Sequence, residues 1–416
     1  MKYLSRWAEI EYRLAATVFK AIIFSGVRQC GKTTLMQNVM PKDSAFLSMD
    51  TETFLKAAED SPTGLLMRYK EKDCIAIDEV QKASSLFPAI KAFVDARPRK
   101  RQILLSGSAN YLTLPSVHES MAGRLGQVRL RPLTEGEIQG NPPRFIERLF
   151  KNDFNVPLTF EDCNKEVILK KALLGGFPDV LEFNDEQRNF WYDAYAQSSA
   201  QKDVIRLLQI RKPEVFQKLL ELCASHSAHS VNISDLSSRL EVSRPTLYEY
   251  LAALETMYLI ERVPLWSEKK DTSSSPKLMF CDSGFMGYLA DIGVTSAALS
   301  LESKGATDKI GNLIETWVYE QLAPLTDLGR EWHLFYYRNK SGKEIDFILE
   351  NRKKDLIAIE VKGSEGFKSE HLKNLRWFKE QFGKGRHIKT VLLYCGWETL
   401  LLSEDEYVLP MAYLWL

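Results

Sequence analysis

The sequence predicts an α/β fold divided into several domains, and three observations carry that prediction. An apolar run, Ala21-Ile22-Ile23-Phe24-Ser25, passes directly into a glycine-flanked turn and a helical pattern. Two further apolar strands follow, one ending at Asp78-Glu79 and the other in the small polar residues Ser106-Gly107-Ser108. The last third adds strands whose apolar residues alternate with acids around Asp346 and Glu360. At 416 residues the chain is too long for one hydrophobic core, so roughly two to four domains are expected.

Composition narrows the class. The chain is 45% hydrophobic and 26% charged, as in soluble globular proteins, and it has no apolar run of about 18 residues able to span a bilayer. Charges at Lys2 and Arg6 stand where a secretory leader needs its apolar stretch, which argues against export. The six cysteines are scattered, with no CxxC pair and no histidine at zinc spacing, so reduced thiols in a cytoplasmic protein are expected. The 55 basic residues equal the 55 acidic ones, so bulk charge gives no argument for a polyanion partner and any such site must be local. The basic clusters Arg97-Pro98-Arg99-Lys100-Arg101, Lys269-Lys270 and Arg352-Lys353-Lys354 read first as solvated loops.

The segment Gly26-Val27-Arg28-Gln29-Cys30-Gly31-Lys32-Thr33-Thr34 is a GxxxxGKT phosphate loop between a strand and a helix, the setting that gives the motif its meaning. Its glycines allow a tight turn whose N–H groups face phosphate oxygens at a helix N-terminus, where the dipole also favours negative charge. Lys32 would reach the β and γ phosphates of ATP, and the Thr33 hydroxyl would ligate Mg²⁺. Cys74-Ile75-Ala76-Ile77-Asp78-Glu79 reads as the partner strand, with Asp78 holding magnesium through water and Glu79 as general base. Gln102 to Asn110 reads as a third strand lying between these two, with Ser108 or Asn110 sensing the γ phosphate. Arg124 closes a helical pattern before the strand at Gln127. It is either a finger for a neighbouring subunit's nucleotide or a cation at a helix C-terminus.

Together GVRQCGKTTL, AIDEVQK, LLSGSAN and MAGRL resemble the bacterial and archaeal AAA-type ATPases that carry a C-terminal domain of formerly unassigned function. The resemblance covers nearly the whole chain and extends to Leu133-Thr134-Glu135-Gly136-Glu137 and Gly175-Gly176-Phe177-Pro178. Val27 stands where that family usually has proline, a change that affects only the stiffness of the loop. The resemblance implies a AAA+ core over 1–140, a helical lid over 141–205 and a restriction-endonuclease-like domain over 281–416, with residues 206–280 read from their own pattern as a winged helix-turn-helix. It also implies a homo-oligomeric ring, a hexamer.

The residues of the middle support a helix-turn-helix on their own. Phe216, Leu219, Leu220 and Cys223 recur at helical spacing, and Ser243-Arg244-Pro245-Thr246-Leu247-Tyr248 starts a second helix with an N-cap serine and a first-turn proline. Arg244, Thr246 and Tyr248 would face DNA, with Lys269 and Lys270 of the wing meeting phosphate. A protein-binding role for this module stays open.

After residue 310, Glu315 on a helix, Asp346 on one strand and Glu360 with Lys362 on the next make the E…D…ExK set of the PD-(D/E)XK nuclease fold. Residues two apart on a strand share a face, so Glu360 and Lys362 project together. Converging carboxylates need a cation, which points to Mg²⁺ or Mn²⁺ held by Glu315, Asp346 and Glu360, with Lys362 acting on the attacking water. The expected activity is ATP-driven processing of duplex or branched DNA, such as a Holliday junction. The competing expectations are a nucleotide-gated protein-interaction switch and a nuclease licensed by ATP.

Overall fold

The computed structural model describes residues 3–97, 100, 102–108, 121–154, 156–197, 212–268, 275–293 and 304–416. It divides into two compact units, one running to Pro132 with Thr256–Tyr258, the other Leu133–Glu255 with Leu259–Leu416. Asn110, Lys269 and Lys270, singled out above, lie outside the described residues. Among the described residues no helix is long and apolar enough to cross a membrane.

The first unit is built on a five-stranded sheet in the order β2-β3-β4-β1-β5, with β1 Ala21–Ser25, β2 Ser44–Ser48, β3 Cys74–Asp78, β4 Ile103–Gly107 and β5 Leu125–Arg129. Every pairing is parallel. The strand after Gln102 therefore lies between the phosphate-loop strand and the Asp78 strand, as its residues suggested. The three inner strands are buried at every position, while the edge strands β2 and β5 alternate buried with half-buried residues. That contrast is what covering a parallel sheet with helices on both faces produces. Helices α1 Ala8–Val18, α2 Lys32–Val39, α3 Glu52–Asp60, α4 Pro62–Arg68 and α5 Leu86–Asp95 accompany the sheet, and Ile23, Ile75, Ile77, Ile90 and Leu105 belong to one core cluster.

The second unit begins with α6 Glu135–Gln139, followed by α7 Phe145–Lys151, α8 Phe160–Cys163, α9 Lys165–Leu174 and α10 Asp185–Tyr195. The Thr134 hydroxyl accepts the Glu137 N–H while the Glu137 carboxylate accepts the Thr134 N–H, a reciprocal cap that starts α6. Three helices follow: α11 Pro213–Ser225, α12 Ile233–Leu240 and α13 Arg244–Thr256. With them goes a three-stranded antiparallel sheet in the order β6-β8-β7, made of β6 His229–Ser230, β7 Ile260–Val263 and β8 Lys277–Phe280. Ser243 caps α13 by accepting the Thr246 N–H at 3.3 Å, as the sequence predicts.

Beyond α14 Ser283–Leu289 and the long α15 Lys304–Asp327 lies a mixed six-stranded sheet, in the order β13-β14-β12-β11-β10-β9. Its strands are β9 Trp332–Arg338, β10 Glu344–Asn351, β11 Leu356–Lys362, β12 Ile388–Tyr394, β13 Leu400–Ser403 and β14 Glu406–Pro410, with α16 Lys373–Phe382 between β11 and β12. β9, β10 and β11 pair antiparallel, then β12 and β14 continue in parallel. Ile345, Ile348, Leu372, Phe378 and Leu392 join Trp266 in the core on one side.

The Gly175-Gly176 pair has a steric reason. A Cβ at Gly175 would come within 2.4 Å of the Asp282 carboxylate, and one at Gly176 within 2.1 Å of the Leu133 carbonyl. Asp282 is fully buried, accepts the Gly176 and Phe285 N–H groups at 2.7 Å each and takes the Tyr192 hydroxyl at 3.2 Å. Glu320 is buried nearby with one carboxyl oxygen lacking any partner. Burial first, and the neighbouring Asp282 second, raise its pKa well above the usual range. A carboxyl raised in the folded state contributes stability that is complete below its unfolded pKa near 4.3 and is lost as pH climbs towards the folded value. Glu320→Gln is therefore expected to flatten the decline of the urea midpoint as pH rises above the ordinary glutamate range near 4.3; identical pH slopes for variant and parent would refute this account.

Candidate functional site

The phosphate loop leaves β1 at Ser25 and enters α2 through Gly31, whose φ of 95° supplies the left-handed turn before the first helical residue. Gln29 also sits at positive φ, 60°. A Cβ on Gly26 would lie 1.9 Å from the Leu130 carbonyl oxygen, so backbone contact rather than flexibility fixes glycine there. Arg6, buried ahead of α1, donates to the Cys30 carbonyl at 2.8 Å and the Arg131 carbonyl at 2.6 Å, tying the loop to the chain beyond β5.

Lys32 is buried, and its ammonium donates to the carbonyls of Gly26 at 3.1 Å and Val27 at 2.8 Å. The Thr33 hydroxyl donates to both Asp78 oxygens, at 3.0 and 2.9 Å. Ser106, from β4, donates to the same carboxylate and also accepts the Glu79 N–H at 3.3 Å. A hydroxyl and a carboxylate oxygen this close are the oxygen donors that magnesium takes from protein, so the residues present fit that ion. Glu79 occupies a left-handed backbone position, φ 52°. Its carboxyl is raised, by burial first, with Lys32 opposing and Asp78 adding to the rise. Gln81 donates through its side-chain nitrogen to both the Glu79 carboxylate and, at 3.0 Å, the Ser108 hydroxyl. The structure therefore brings together Lys32, Thr33, Asp78, Glu79 and Ser108.

Arg124 stands elsewhere. It precedes β5 at the end of the sheet where β1 starts, one strand length, about 13 Å, from the loop edge. Its guanidinium clasps Asp95 with contacts of 2.6 and 2.9 Å. From there it cannot reach the phosphate loop of its own chain.

The acids of the last third also converge. The Val361 N–H donates to Asp346 at 2.7 Å, and Lys362 donates to Glu360 at 2.7 Å. Glu315, however, is met by Lys277, the first residue of β8, at 2.7 Å; the same ammonium lies 3.2 Å from Glu344 and 3.9 Å from Asp346. Glu315, Glu344, Asp346 and Glu360 lie around the two ammonium groups of Lys277 and Lys362, so carboxylates outnumber ammonium groups there. Burial, and for Glu360 the adjacent Asp346, push Glu315 and Glu360 upward, with Lys277 and Lys362 opposing. Burial alone would depress Lys277, but Glu315, Asp346 and Glu344 outweigh it and hold the lysine charged. Among the described residues no group of three histidine, cysteine or carboxylate side chains is disposed to hold a metal ion. The expected cage of Glu315, Asp346 and Glu360 is thus not formed as arranged here. On α13, Arg244 and Tyr248 are exposed and Thr246 half-buried, and Arg244 donates to Ser234 at 2.9 Å.

Residues 18–139 match the AAA domain family. That stretch, which holds the phosphate loop and Asp78, is similar to AAA domains. Beyond the AAA domain, residues 166–296 match a domain of unknown function (DUF8612) and residues 310–414 another (DUF4143). An uncharacterized protein of Mycobacterium tuberculosis is 26% identical over 336 residues, covering 79% of this chain and 67% of that protein. An uncharacterized protein of Methanocaldococcus jannaschii is 24% identical over 426 residues, covering 98% of this chain and 89% of that one. Among solved structures, a signal transduction ATPase with numerous domains from Pyrococcus horikoshii, bearing a tetratricopeptide repeat sensor, is 13% identical. That comparison covers 79% of this chain and 52% of that one, at a TM-score of 0.27; so low a score carries no weight for fold.

Four residues at these sites were not singled out from the sequence. Ser106 and Gln81 adjoin recognised motifs, and a polar side chain next to a catalytic strand end was the available signal. Lys277, a lone charge opening the apolar strand KLMF, was another. Arg6 carried no local signal. Within the AAA domain, Gly26→Ala should displace the loop from Leu130 and weaken binding of a fluorescent ATP analogue with magnesium at least tenfold, about 1.4 kcal/mol. Unchanged affinity would show that the contact is not limiting.

Proposed function

We propose that this chain is an ATP-hydrolysing motor that binds and remodels duplex or branched DNA. The observation that carries the proposal is the meeting of Thr33 with Asp78 beside buried Lys32 at the end of the parallel sheet. Lys32 would exchange the carbonyls of Gly26 and Val27 for phosphate oxygens, and the loop N–H groups would hold the remaining charge. Thr33 and Asp78 would hold magnesium, which when bound neutralises phosphate charge. Glu79 would orient the attacking water and accept its proton, and release from Gln81 would free it to do so. Arg124 would serve the nucleotide of another copy, in a ring that family resemblance makes hexameric.

The coupling to DNA rests on the second unit. The succession α11-β6-α12-α13-β7-β8 supports a winged helix, with Arg244, Thr246 and Tyr248 on the helix offered to a groove. The succession α15-β9-β10-β11-α16-β12, with Asp346 on β10 and Glu360 and Lys362 on β11, supports a PD-(D/E)XK nuclease-like domain. The clasp of Lys277 on the acids favours a domain that grips DNA over one that cuts it.

Two outcomes are expected. Glu79→Gln should retain ATP binding while losing hydrolysis by about a hundredfold or more. Because burial raises the Glu79 carboxyl, parental turnover should already decline on acidification above the usual glutamate range near pH 4.3; hydrolysis by Glu79→Gln at the parental rate would remove Glu79 from the mechanism. ATPase and cleavage assays on single-stranded, duplex, forked and four-way DNA, with the parent, Lys32→Ala, Asp346→Ala and Glu360→Ala, test the coupling. Four-way DNA should stimulate turnover without being cut. Turnover indifferent to every DNA, with no salt-sensitive binding, would replace the motor with a protein-interaction switch. Cutting abolished by Asp346→Ala and merely deregulated by Lys32→Ala would select the ATP-licensed nuclease.

A further inference from the structure

Lys277 is 1% exposed, yet its ammonium belongs to the three-stranded sheet while the carboxylates around it come from α15 and β10 of the six-stranded region. The rings of Tyr336 and Phe347, 5.3 and 5.9 Å from the nitrogen, complete the enclosure. An ammonium removed from water persists only where anions replace its hydration. Here Glu315 at 2.7 Å, Glu344 at 3.2 Å and Asp346 at 3.9 Å do so. These include two of the three acids that a nuclease-like site would turn on a divalent ion. A divalent cation drawn to Glu315 and Asp346 would have to compete with the lysine ammonium already set against both. The third acid shows the unmet demand: Glu360 is buried, and one of its oxygens has no partner.

We propose that Lys277 is the resident cation of this carboxylate cluster, so that the site admits a divalent metal only when the start of β8 is withdrawn. The proposal rests on the nuclease-like reading of the C-terminal region. It makes the helix-turn-helix segment, through β8 of the three-stranded sheet that accompanies it, the element that opens or closes the acids. Lys277 is a positioning residue here, acting through Glu315 and Asp346 and touching no substrate.

The test measures Mn²⁺ binding to the full chain without nucleotide, by calorimetry, in the parent, Lys277→Met, Glu360→Gln and the double variant. Subtracting the Glu360→Gln signal separates this site from Thr33 and Asp78. The parent should show no saturable Mn²⁺ site that depends on Glu360. Lys277→Met should gain one, at least tenfold tighter than any parental binding, and Mn²⁺ should raise its melting temperature but not that of the double variant. Glu360-dependent binding of equal strength in the parent would overturn the role of Lys277 while leaving the metal-site reading intact. A folded Lys277→Met that binds no Mn²⁺ would overturn both. Should Lys277→Met fail to fold, Lys277→Gln, which keeps a donor for Glu315, takes its place, and the parental arm decides independently of either variant.

Discussion

Asp78 is held where a strand of a parallel sheet stops, and the candidate phosphate-loop site is organised around that carboxylate. Thr33 and Ser106 both donate to it, from the helix after the phosphate loop and from the neighbouring strand respectively. A carboxylate this buried must be satisfied by donors or by a cation, and the sheet order β3-β4-β1 is what brings those donors within reach. Moving β4 out from between its neighbours would leave Asp78 without Ser106 and Glu79 without its N–H acceptor. The central position of β4 is thus an electrostatic requirement as well as a packing one.

The parts of this arrangement that were legible in the sequence are those encoded locally. A phosphate loop needs its glycines, lysine and threonine within nine residues, and the strand before it is apolar throughout because both faces are covered. The E…D…ExK pattern was legible for the same reason, since strand periodicity alone places Glu360 and Lys362 on one face. What escaped was long-range. Arg6 reaches Cys30 and Arg131, and neither segment bears a mark that would announce the contact. Lys277 meets acids 38 and 69 residues further on; in the chain it looks like a strand end facing water. The Gly175-Gly176 pair was legible as a motif but not as a mechanism, because its causes, the Asp282 carboxylate beside Gly175 and the Leu133 carbonyl beside Gly176, lie far off in the chain.

The second unit concentrates buried charge that the composition of the chain does not reveal. Asp282, Glu320, Lys277 and Glu360 are all largely removed from solvent. Such groups add little stability as pairs but exact a heavy penalty when mispaired, so they select one arrangement of the surrounding helices and strands against alternatives. Aromatic packing of Tyr192 and Phe177 on Phe285 fills the space around Asp282 and keeps water from relieving it.

The clasp of Lys277 on Glu315 also constrains heredity. A single change that removes the lysine strands several acids in a dry pocket, and one that removes the nearest acid strands the lysine; either intermediate is worse than both endpoints. Divergent copies of this chain should therefore exchange these positions jointly or not at all, so that correlated substitution at 277 and 315 would record the same energetics across lineages.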